Sequence, residues 1–357
     1  MNTFEQMIER GHERVCFHQD PDSGVRVIIA VHSTRLGNAL GGTRRWHYAT
    51  EADALTDVLR LSEGMTLKAA VSDLAMGGAK SVVLLPRPGH PITEAEARAV
   101  GRFVETLDGA YIAAADVGVT SQYVDWMAME TDHVMGGVRR SRGGDPSPHT
   151  ARGTVNAMRA ALAHLGQSTS LRGLTVAIQG IGHVGRHLVR LLTGHGARVI
   201  VSDIDTDRVA SVVDEFGVTS VPANEILSVE CDVLAPCALG GVIDATMSPR
   251  LRCRIIAGAA NNMLDDPDED AVALRNQGIL YAPDLIANAG GLIHLAGLYL
   301  GLTEQEIDRK IDNIESTMAT VLHESESLPS TYAAMIAYAD RRIAQGNTSS
   351  KEQVHAG

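Results

Sequence analysis

Residues 174–185 read Leu-Thr-Val-Ala-Ile-Gln-Gly-Ile-Gly-His-Val-Gly, an apolar, β-branched run followed at once by a GxGxxG motif. The run 175–179 has the length and composition of a buried strand, and the apolar residues after the motif recur at the period of an amphipathic helix. A second apolar run, 198–202, ends at Asp203. A lone GxGxxG is weak evidence, but strand, glycines, helix, strand and acid in this order are typical of a dinucleotide-binding βαβ unit.

The three glycines of the motif each have a predicted role. Gly180 makes the tight turn, Gly182 lets backbone N–H groups approach a pyrophosphate, and Gly185 brings the helix close to the strand. The N-terminus of the helix adds a partial positive charge. The predicted pyrophosphate site therefore comprises Gly180, Ile181, Gly182, His183, Val184 and Gly185.

The acid at the end of the second strand indicates the cofactor. Asp203 and the nearby Asp205 stand where the adenosine ribose of a bound dinucleotide is expected. A carboxylate accepts hydrogen bonds from a ribose 2′-OH and repels a 2′-phosphate, so the predicted cofactor is NAD. Arg208 lies within the following helix and leaves room for NADP only as a minor activity.

Composition bounds the class of protein. With 357 residues, 45% of them hydrophobic and 21% charged, the chain is long enough for two globular domains. A net charge of −12 argues against a nucleic-acid or anionic-membrane partner. The four cysteines form no CxxC pair and the 14 histidines no HExxH motif, so we expect reduced thiols and no metal. Because the N-terminus lacks signal-peptide features, we expect a cytoplasmic protein.

The first half of the chain predicts an α/β domain of its own. Residues 25–31 form a clear strand, the glycine-rich stretch 40–44 is interpreted as a loop, and 51–65 has a helical apolar period. Thr93 and Glu96 predict a capping box at the start of a further helix. Beyond a Gly-, Arg- and Pro-rich boundary near 136–148, strands and helices alternate, which predicts a doubly wound parallel sheet. After Asn288 the pattern is helical, with the longest segments at 304–323 and 330–345.

Two lysines and an aspartate stand in unusual surroundings. Lys68 and Lys80 lie in or beside apolar, glycine-rich sequence, and Asp116 leaves an alanine-rich strand. Ligands of open α/β sheets bind at the carboxyl ends of strands. One such lysine alone is best explained by a snorkelling side chain. Lys68, Lys80 and Asp116 together with a nucleotide-binding unit favour an active site.

Several motifs resemble those of the Glu/Leu/Phe/Val amino-acid dehydrogenases from about Val25 to Leu300. The motifs are Leu40-Gly41-Gly42-Thr43-Arg44, Met65-Thr66-Leu67-Lys68, Met76-Gly77-Gly78-Ala79-Lys80-Ser81, Ala115-Asp116-Val117, Ala235-Pro236-Cys237-Ala238-Leu239-Gly240-Gly241, Gly258-Ala259-Ala260-Asn261-Asn262, Tyr281-Ala282-Pro283-Asp284 and Asn288-Ala289-Gly290-Gly291. Family members usually have a third glycine where this chain has Ala79, and we expect its methyl group to alter the loop beside Lys80.

The resemblance implies a two-domain α/β fold and a homo-oligomeric enzyme. Its implied domains are residues 1–142 for substrate binding and oligomerisation, 143–325 as a Rossmann-type NAD domain, and 326–357 as a C-terminal helix returning to the first domain, then a polar tail. A cleft between the domains would close on the substrate. The implied reaction is NAD-dependent, reversible oxidative deamination of an L-amino acid to a 2-oxo acid and ammonia.

The same resemblance implies residue roles. Lys68 would bind the substrate carboxylate, Lys80 would act as the base, and Asp116 would shuttle protons to the amino group. The substrate residues would be Leu40, Gly41, Gly42, Met65, Lys68, Ala114, Asn262, Leu292 and Leu295. Besides the glycine motif and Asp203, the cofactor residues would be Thr150, Ala238, Leu239, Ala259, Asn262 and Asn288, with Asn288 followed by a Gly290-Gly291 turn.

The substrate side chain is expected to be hydrophobic. Glutamate dehydrogenases carry a lysine where Leu40 stands, and Leu40 cannot pair with a γ-carboxylate, whose unpaired burial would cost several kcal/mol. Leu292 is typical of phenylalanine-type members, whereas Ala114 is more typical of the leucine type. Phenylalanine is the favoured substrate, and a leucine/valine dehydrogenase is the alternative.

Two other classes remain to be separated. A non-catalytic NAD-binding regulatory homologue would not need Lys68, Lys80 and Asp116 together. A 2-hydroxy-acid dehydrogenase typically uses a His–carboxylate pair with an arginine, whereas the candidate loops here contain lysines and an aspartate.

Overall fold

The computed structural model describes residues 2–138, 143–238 and 240–346, and the chain forms two compact units. The first unit contains 2–138, 143–145, 295–303 and 339–346, and the second contains 146–238, 240–294 and 304–338. The first unit thus includes 295–303 and the chain from Ala339 onward. The predicted NAD domain, by contrast, was one continuous segment, 143–325. Leu239 and the predicted boundary at residue 142 lie outside the described residues.

The first unit is an α/β structure built on a six-stranded mixed sheet. Its elements are α1 (Thr3–Arg10), β1 (Arg14–Gln19), β2 (Arg26–Ser33), β3 (Ala39–Trp46), α2 (Glu51–Val71), β4 (Gly77–Leu84), α3 (Glu94–Glu105), β5 (Tyr111–Ala115), α4 (Ser121–Met127) and β6 (Val134–Met135). The sheet order is β1-β2-β4-β3-β5-β6. Strands β4, β3, β5 and β6 are parallel to one another, and β1 and β2 are antiparallel to their neighbours.

Helices cover both faces of this sheet. Alternate residues of β2 and β4, such as Ile28 and Val82, pack with Val58 and Leu59 of α2. The residues between them, such as Ile29 and Val83, point to the other face and pack with α3 and α4. The two-residue period of the strands therefore divides their side chains between two faces of the sheet. We call these the α2 face and the α3/α4 face, after the helices that cover them.

The glycine-rich segment 40–44 is a strand, and its interpretation as a loop is wrong. It forms the middle of β3, paired in parallel with β4 and β5. Two adjacent glycines lower the strand propensity of the segment, so its sequence resembles that of a loop. They are needed because the neighbouring backbone is unusually close: a Cβ atom on Gly41 would lie 1.6 Å from the Ala79 carbonyl oxygen.

The second unit confirms the predicted doubly wound fold. It contains α5 (Ser147–His164), β7 (Thr175–Gln179), α6 (His183–Gly194), β8 (Arg198–Ser202), α7 (Thr206–Phe216), β9 (Thr219–Ser220), β10 (Val233–Pro236), β11 (Ile255–Ile256), α8 (Pro267–Asn276), β12 (Leu280–Tyr281) and α9 (Asp284–Ala287). Every pairing in the sheet order β12-β11-β10-β7-β8-β9 is parallel. The strand order reverses between β7 and β10, which is where such sheets bind dinucleotides.

The C-terminal part is helical as expected, with two corrections. Its helices are α10 (Gly290–Tyr299), α11 (Glu304–Asp312), α12 (Ile314–Glu324) and α13 (Thr331–Gln345). Gly290 and Gly291 start α10 instead of forming a turn. The segment 304–323 is two helices, separated at Asn313, where the apolar period continued without a break. Within the described ranges, no helix is long and apolar enough to cross a membrane.

Candidate active site and dinucleotide-binding unit

The α2 face of the first sheet gathers the predicted catalytic side chains. In β3, Leu40, Gly42 and Arg44 alternate onto the same face. Lys80 of β4 pairs with Ala30 of β2, a residue of the α2 face. Since β3 runs parallel to β4 and β5, their carboxyl ends lie side by side, and Asp116 follows β5 directly.

Lys80 and Asp116 form an ion pair that a third residue shares. Lys80 Nζ lies 2.8 Å from Asp116 Oδ2, and Arg44 Nε lies 3.2 Å from the same oxygen. The Lys80 side chain is only 7% exposed. Burial alone would raise the pKa of Asp116, but the Lys80 ammonium and the Arg44 guanidinium outweigh it and hold that pKa at about 2. Asp116 is therefore a carboxylate throughout the neutral range.

Gly42 provides the space for this pair. A Cβ atom there would lie 2.8 Å from Asp116 Cβ and 3.3 Å from Lys80 Nζ, so any side chain would displace the pair. The methyl group of Ala79, where the family usually has glycine, does not reach the pair. Ala79 is buried in the α3/α4-face core because consecutive strand residues point to opposite faces. The expected change beside Lys80 therefore falls on the other side of the sheet.

Helix α2 brings two further predicted residues to the unit. Its Thr66 packs directly on β4, since a Cβ on Gly78 would meet the Thr66 backbone nitrogen at 2.0 Å. Met65 and Lys68 are half-buried and lie three residues apart on the helix.

 Because residues three apart lie on successive turns of a helix, the Met65 and Lys68 side chains leave α2 on the same side.

The predicted apolar substrate residues lie on two elements of the sheet and on α10. Leu40 and Ala114 are both buried, and Ala114 pairs with Gly42 in the β3–β5 register. Leu295 belongs to the first unit, where its Cδ2 lies 2.5 Å from the position of a Cβ on Gly143. Leu292, one helix turn earlier, is buried and belongs to the second unit.

In the second unit, the glycine loop has the geometry that a pyrophosphate requires. Gly180 has φ +89°, a conformation that favours glycine, and a Cβ on Gly185 would lie 2.1 Å from the Gly180 carbonyl oxygen. Gly182 is the N-cap of α6, and among the described residues no side chain caps the helix and none outside the adjoining backbone comes within 4 Å of its Cβ position. His183 and Val184 begin the helix. Uncapped N–H groups beside open space fit a bound phosphate.

Asp203 lies at the end of β8 and touches the glycine loop. Its Oδ2 accepts a hydrogen bond from Ile181 N at 2.8 Å, and its Oδ1 accepts one from Asp205 N at 3.0 Å. Asp205, the second acid of the prediction, is the N-cap of α7 and accepts from Arg208 N at 3.1 Å. Arg208 also lies 3.7 Å from Asp203 Oδ2. Asp205 thus has a structural role, and Asp203 is the acid of the fingerprint.

Asn288 connects the other predicted cofactor loops. Its side-chain Nδ2 donates to Ala260 O at 3.0 Å and to Asn261 Oδ1 at 2.9 Å, which holds the loop after β11. Its Oδ1 is buried and has no protein partner among the described residues. An orphaned buried acceptor fits a ligand that brings a donor, such as a carboxamide. The dinucleotide predicted from the sequence therefore fits this unit.

The remaining predicted cofactor residues lie at the same sheet edge or beside it. Ala238 follows β10, and a Cβ on Gly180 would lie 2.8 Å from its methyl carbon. Ala259 and Asn262 follow β11, and Asn262 has a positive φ of 51°. Thr150 lies in the first turn of α5, with its hydroxyl 2.6 Å from the Cβ position of Gly291.

The charged cluster includes three residues that were not predicted as site residues. Arg44 belongs to one of the sequence motifs, and Asp57 and Tyr48 lie outside them. Arg44 Nη1 lies 2.9 Å from Asp57 Oδ2, and the Tyr48 hydroxyl donates to that oxygen at 2.7 Å. The available signal was helical spacing: Asp57 and Lys68 are eleven residues apart, three turns, and share a face of α2.

Two family models cover nearly the whole chain. Residues 12–133 match the Glu/Leu/Phe/Val dehydrogenase dimerisation domain. Residues 144–218 and 201–345 match the Glutamate/Leucine/Phenylalanine/Valine dehydrogenase domain. The first match spans the sheet that carries Lys80, and the second spans the dinucleotide-binding unit.

Relatives of known name are similar over most of their length. A leucine dehydrogenase of Geobacillus stearothermophilus is 44% identical over 96% of this chain and 94% of its own. A phenylalanine dehydrogenase of Lysinibacillus sphaericus is 40% identical over 88% of this chain and 84% of its own. The crystal structure of L-tryptophan dehydrogenase from Nostoc punctiforme superposes with a TM-score of 0.83 at 38% identity, covering 96% of this chain and 98% of that one. The chain therefore belongs to the Glu/Leu/Phe/Val dehydrogenase family and is an amino-acid dehydrogenase, an oxidoreductase that acts on the CH–NH2 group of its substrate.

Proposed function

We propose that this dehydrogenase catalyses the reversible, NAD-dependent oxidative deamination of a hydrophobic L-amino acid to its 2-oxo acid and ammonia. The observation that carries the proposal is the Lys80–Asp116 pair beside the buried Leu40. A base and a carboxylate placed on one sheet face serve proton transfer, and an apolar neighbour excludes a charged substrate side chain. A non-catalytic homologue would have no use for this combination.

The proposed residue roles follow the chemistry. Lys68 binds the substrate carboxylate, and Lys80 in its neutral form takes a proton from the substrate ammonium group. Lys80 then gives this proton to solvent, and after hydride leaves Cα it takes a proton from the water that attacks the imine carbon. Asp116 carries protons to and from the nitrogen, so that the C–N bond breaks as ammonia leaves. NAD, when bound, accepts the hydride. Water supplies the oxo oxygen, and the products are the 2-oxo acid, ammonia and NADH.

A branched aliphatic side chain is the first candidate substrate. Ala114 pairs with Gly42, next to the Lys80–Asp116 pair, and its buried methyl group narrows the space there. Phenylalanine-type members of the family carry glycine at this position. The leucine dehydrogenase relative at 44% identity supports the same choice.

Phenylalanine, the substrate favoured from the sequence, is the second candidate. Leu292 is typical of phenylalanine-type members and is buried in this structure. The phenylalanine dehydrogenase relative at 40% identity supports an aromatic substrate. One methyl group discriminates between side chains by about 1–3 kcal/mol, so the two classes can overlap.

The cofactor is proposed to be NAD because Asp203 stands at the ribose end of the glycine loop. A 2′-phosphate would face this carboxylate, and Arg208, its nearest cation, is already engaged with Asp205 at 3.3 Å. Asp203→Ser should weaken NAD relative to NADP, as read from the ratio of the two kcat/KM values. A ratio equal to that of the parent would contradict this placement of Asp203.

We further propose a homo-oligomer. The first family match is described as a dimerisation domain. It includes β1, an edge strand of the first sheet whose Phe17 is half exposed. An exposed edge strand can pair with a second copy of the chain.

A substrate panel tests the proposed function. NADH formation is measured with leucine, valine, phenylalanine, tryptophan and glutamate, and ammonia-dependent NADH oxidation with the matching 2-oxo acids. We expect the highest kcat/KM with leucine or valine, a lower value with phenylalanine, and no turnover of glutamate. Preferred turnover of glutamate, or no turnover of any amino acid, would overturn the proposal.

A further inference from the structure

We propose that Arg44, clamped by Asp57, is the fixed counter-ion of Asp116 that frees Lys80 to lose and regain its proton. This positioning role rests on the function proposed above, in which Lys80 acts as a base. It concerns two residues, Arg44 and Asp57, that the proposed reaction itself does not use.

Lys80 and Arg44 share one oxygen of Asp116. Lys80 Nζ and Arg44 Nε approach the same atom, Asp116 Oδ2, at 2.8 and 3.2 Å. When Lys80 gives its proton to solvent, the partly buried Asp116 carboxylate loses one of its two cations. Arg44 stays charged at every working pH and remains on that oxygen, so Asp116 is never left as an unpaired anion.

Asp57 holds the guanidinium in place. Arg44 uses Nε for Asp116 and Nη1 for Asp57, so the planar fork spans two carboxylates from two different elements. Asp57 is fixed in turn by the Tyr48 hydroxyl at 2.7 Å and by Arg60 Nη2 at 3.0 Å. Burial alone would raise the pKa of Asp57, but the Tyr48 hydrogen bond and the two arginines lower it. Asp57 is therefore an anion at neutral pH and can bind the Arg44 guanidinium there.

The charges around Lys80 determine the sign of each expected effect. Arg44 adds positive charge near Lys80 and disfavours the ammonium form, whereas Asp116 and Asp57 favour it. The titratable or charged groups on the surrounding elements are Arg44 from β3, Lys80 from β4, Tyr111 and Asp116 from β5 and its end, His32 from β2, Tyr48 from the β3–α2 loop, and Asp57, Arg60 and Lys68 from α2. Among these, Arg44 and Asp57 are opposite in charge, and a neutral substitution can remove either charge separately.

Two readouts test the inference. The first is the pH profile of kcat/KM for oxidation of the best amino acid. The second is the NMR titration of the Lys80 side chain in the protein without ligands, which needs no turnover. The chain has only four lysines, Lys68, Lys80, Lys310 and Lys351, so Lys80→Met identifies the signal.

Arg44→Gln should move both the acid limb of the profile and the Lys80 titration to higher pH, because it removes a neighbouring cation. Asp57→Asn should move both downward by a smaller amount, because it removes an anion. Arg44→Lys should restore the position of the acid limb but only part of kcat, since a point charge cannot span two carboxylates. Arg10→Gln, which removes a cation from a surface pair with Glu63 on α2, is the matched control and should leave both readouts unchanged.

Shifts of opposite sign for Arg44→Gln and Asp57→Asn would support the inference, since damage to the fold moves both variants alike. A uniform fall in kcat with no shift of the Lys80 titration would overturn it. If the parent turns over no amino acid but the Lys80 signal shifts as expected, the proposed function fails and the electrostatic role of Arg44 stands. If turnover is present and the Lys80 signal does not move, the role of Arg44 fails alone.

Discussion

Arg44 and Arg45 are neighbours in β3 and serve opposite faces of one sheet. Arg45 is 5% exposed and is fully engaged: its guanidinium binds both carboxylate oxygens of Glu96 and the carbonyl oxygens of His90 and Pro91. Arg44 is 22% exposed and shares its carboxylate, Asp116, with Lys80. One arginine closes a buried cluster, and the other belongs to a cluster that solvent can reach.

The two clusters distinguish a structural ion pair from one that can take part in proton transfer. Around Arg45, both oxygens of Glu96 bind the guanidinium, and Glu96 also accepts from the Tyr123 hydroxyl at 3.0 Å. No proton can leave this cluster without leaving a buried charge unpaired. Around Arg44, two cations serve one oxygen of Asp116, so one of them can change its charge while the other stays.

The largest expected effect is on the Arg44 side. Lys80→Met removes the proposed base while Asp116 keeps Arg44, so kcat should fall by about 10²–10⁴-fold with little loss of stability. NAD binding, measured by fluorescence titration, should stay near the parent value. Lys310→Met on α11 is the control for the loss of one lysine. Substantial turnover by Lys80→Met would remove this residue from the mechanism.

On the Arg45 side, the expected loss is one of stability. Glu96→Gln leaves the buried Arg45 charge without its anion, which should lower the free energy of unfolding by about 3–5 kcal/mol. Turnover per folded molecule should change little. Glu94→Gln, in the first turn of the same helix, removes an exposed pair with Arg98 and should cost less than about 1 kcal/mol. Equal losses in a denaturant titration of both variants would contradict the distinction between the two arginine clusters.

A smaller effect concerns a group that titrates without touching the Lys80 pair. His12 packs under α2, bound to Leu59 O at 3.1 Å and Ser62 Oγ at 2.9 Å, and burial together with the nearby His32 lowers its pKa to about 4. Because the unfolded chain binds this proton more readily, stability present above pH 6.5 should be lost as the pH falls towards 4, by up to about 3 kcal/mol. His12→Gln should flatten that slope, and the exposed His323→Gln should not. An unchanged slope in both would exclude His12 as its source.

The smallest expected effect is a change of preference. Ala114→Gly removes a methyl group and enlarges the space beside Lys80 by that volume. It should raise kcat/KM for phenylalanine relative to leucine by about 10-fold. Ala113→Gly is the matched control, because its methyl group points into the core on the α3/α4 face. Both variants carry the backbone penalty of a glycine in a strand, about 0.5–1 kcal/mol. The same preference in both variants would place the substrate side chain elsewhere.

The dinucleotide unit could be predicted because its signals are local. The strand 175–179, the glycines after it and Asp203 lie within 30 residues of one another. The parallel sheet that they predict is confirmed. The first sheet gave weaker signals. Its central strand β3 contains two glycines that lower strand propensity, and only distant residues explain them: Ala79 approaches Gly41, and Lys80 and Asp116 approach Gly42.

The charged cluster was only partly predictable for a similar reason. Lys80 and Asp116 stand out because they interrupt apolar strands, but Asp57 lies on an amphipathic helix where a carboxylate is ordinary. Thr93 and Glu96 show the converse. The predicted capping box is half formed: Thr93 caps Glu96 N at 3.2 Å, whereas the Glu96 carboxylate binds Arg45 instead of the helix end. Tertiary partners decided where each carboxylate went.

The β3–α2–β4 crossover has a consequence for recombination between related genes. Residues 39–84 carry Arg44, Asp57, Lys68 and Lys80 in one uninterrupted segment, together with the helix that aligns them. A gene segment coding for these residues would transfer the cations and the Asp57 clamp as one inherited block. Asp116 and Ala114 would come from the recipient. The cations and their Asp57 clamp can therefore pass between lineages together wherever the recipient supplies the aspartate, while the pocket residue Ala114 diverges separately.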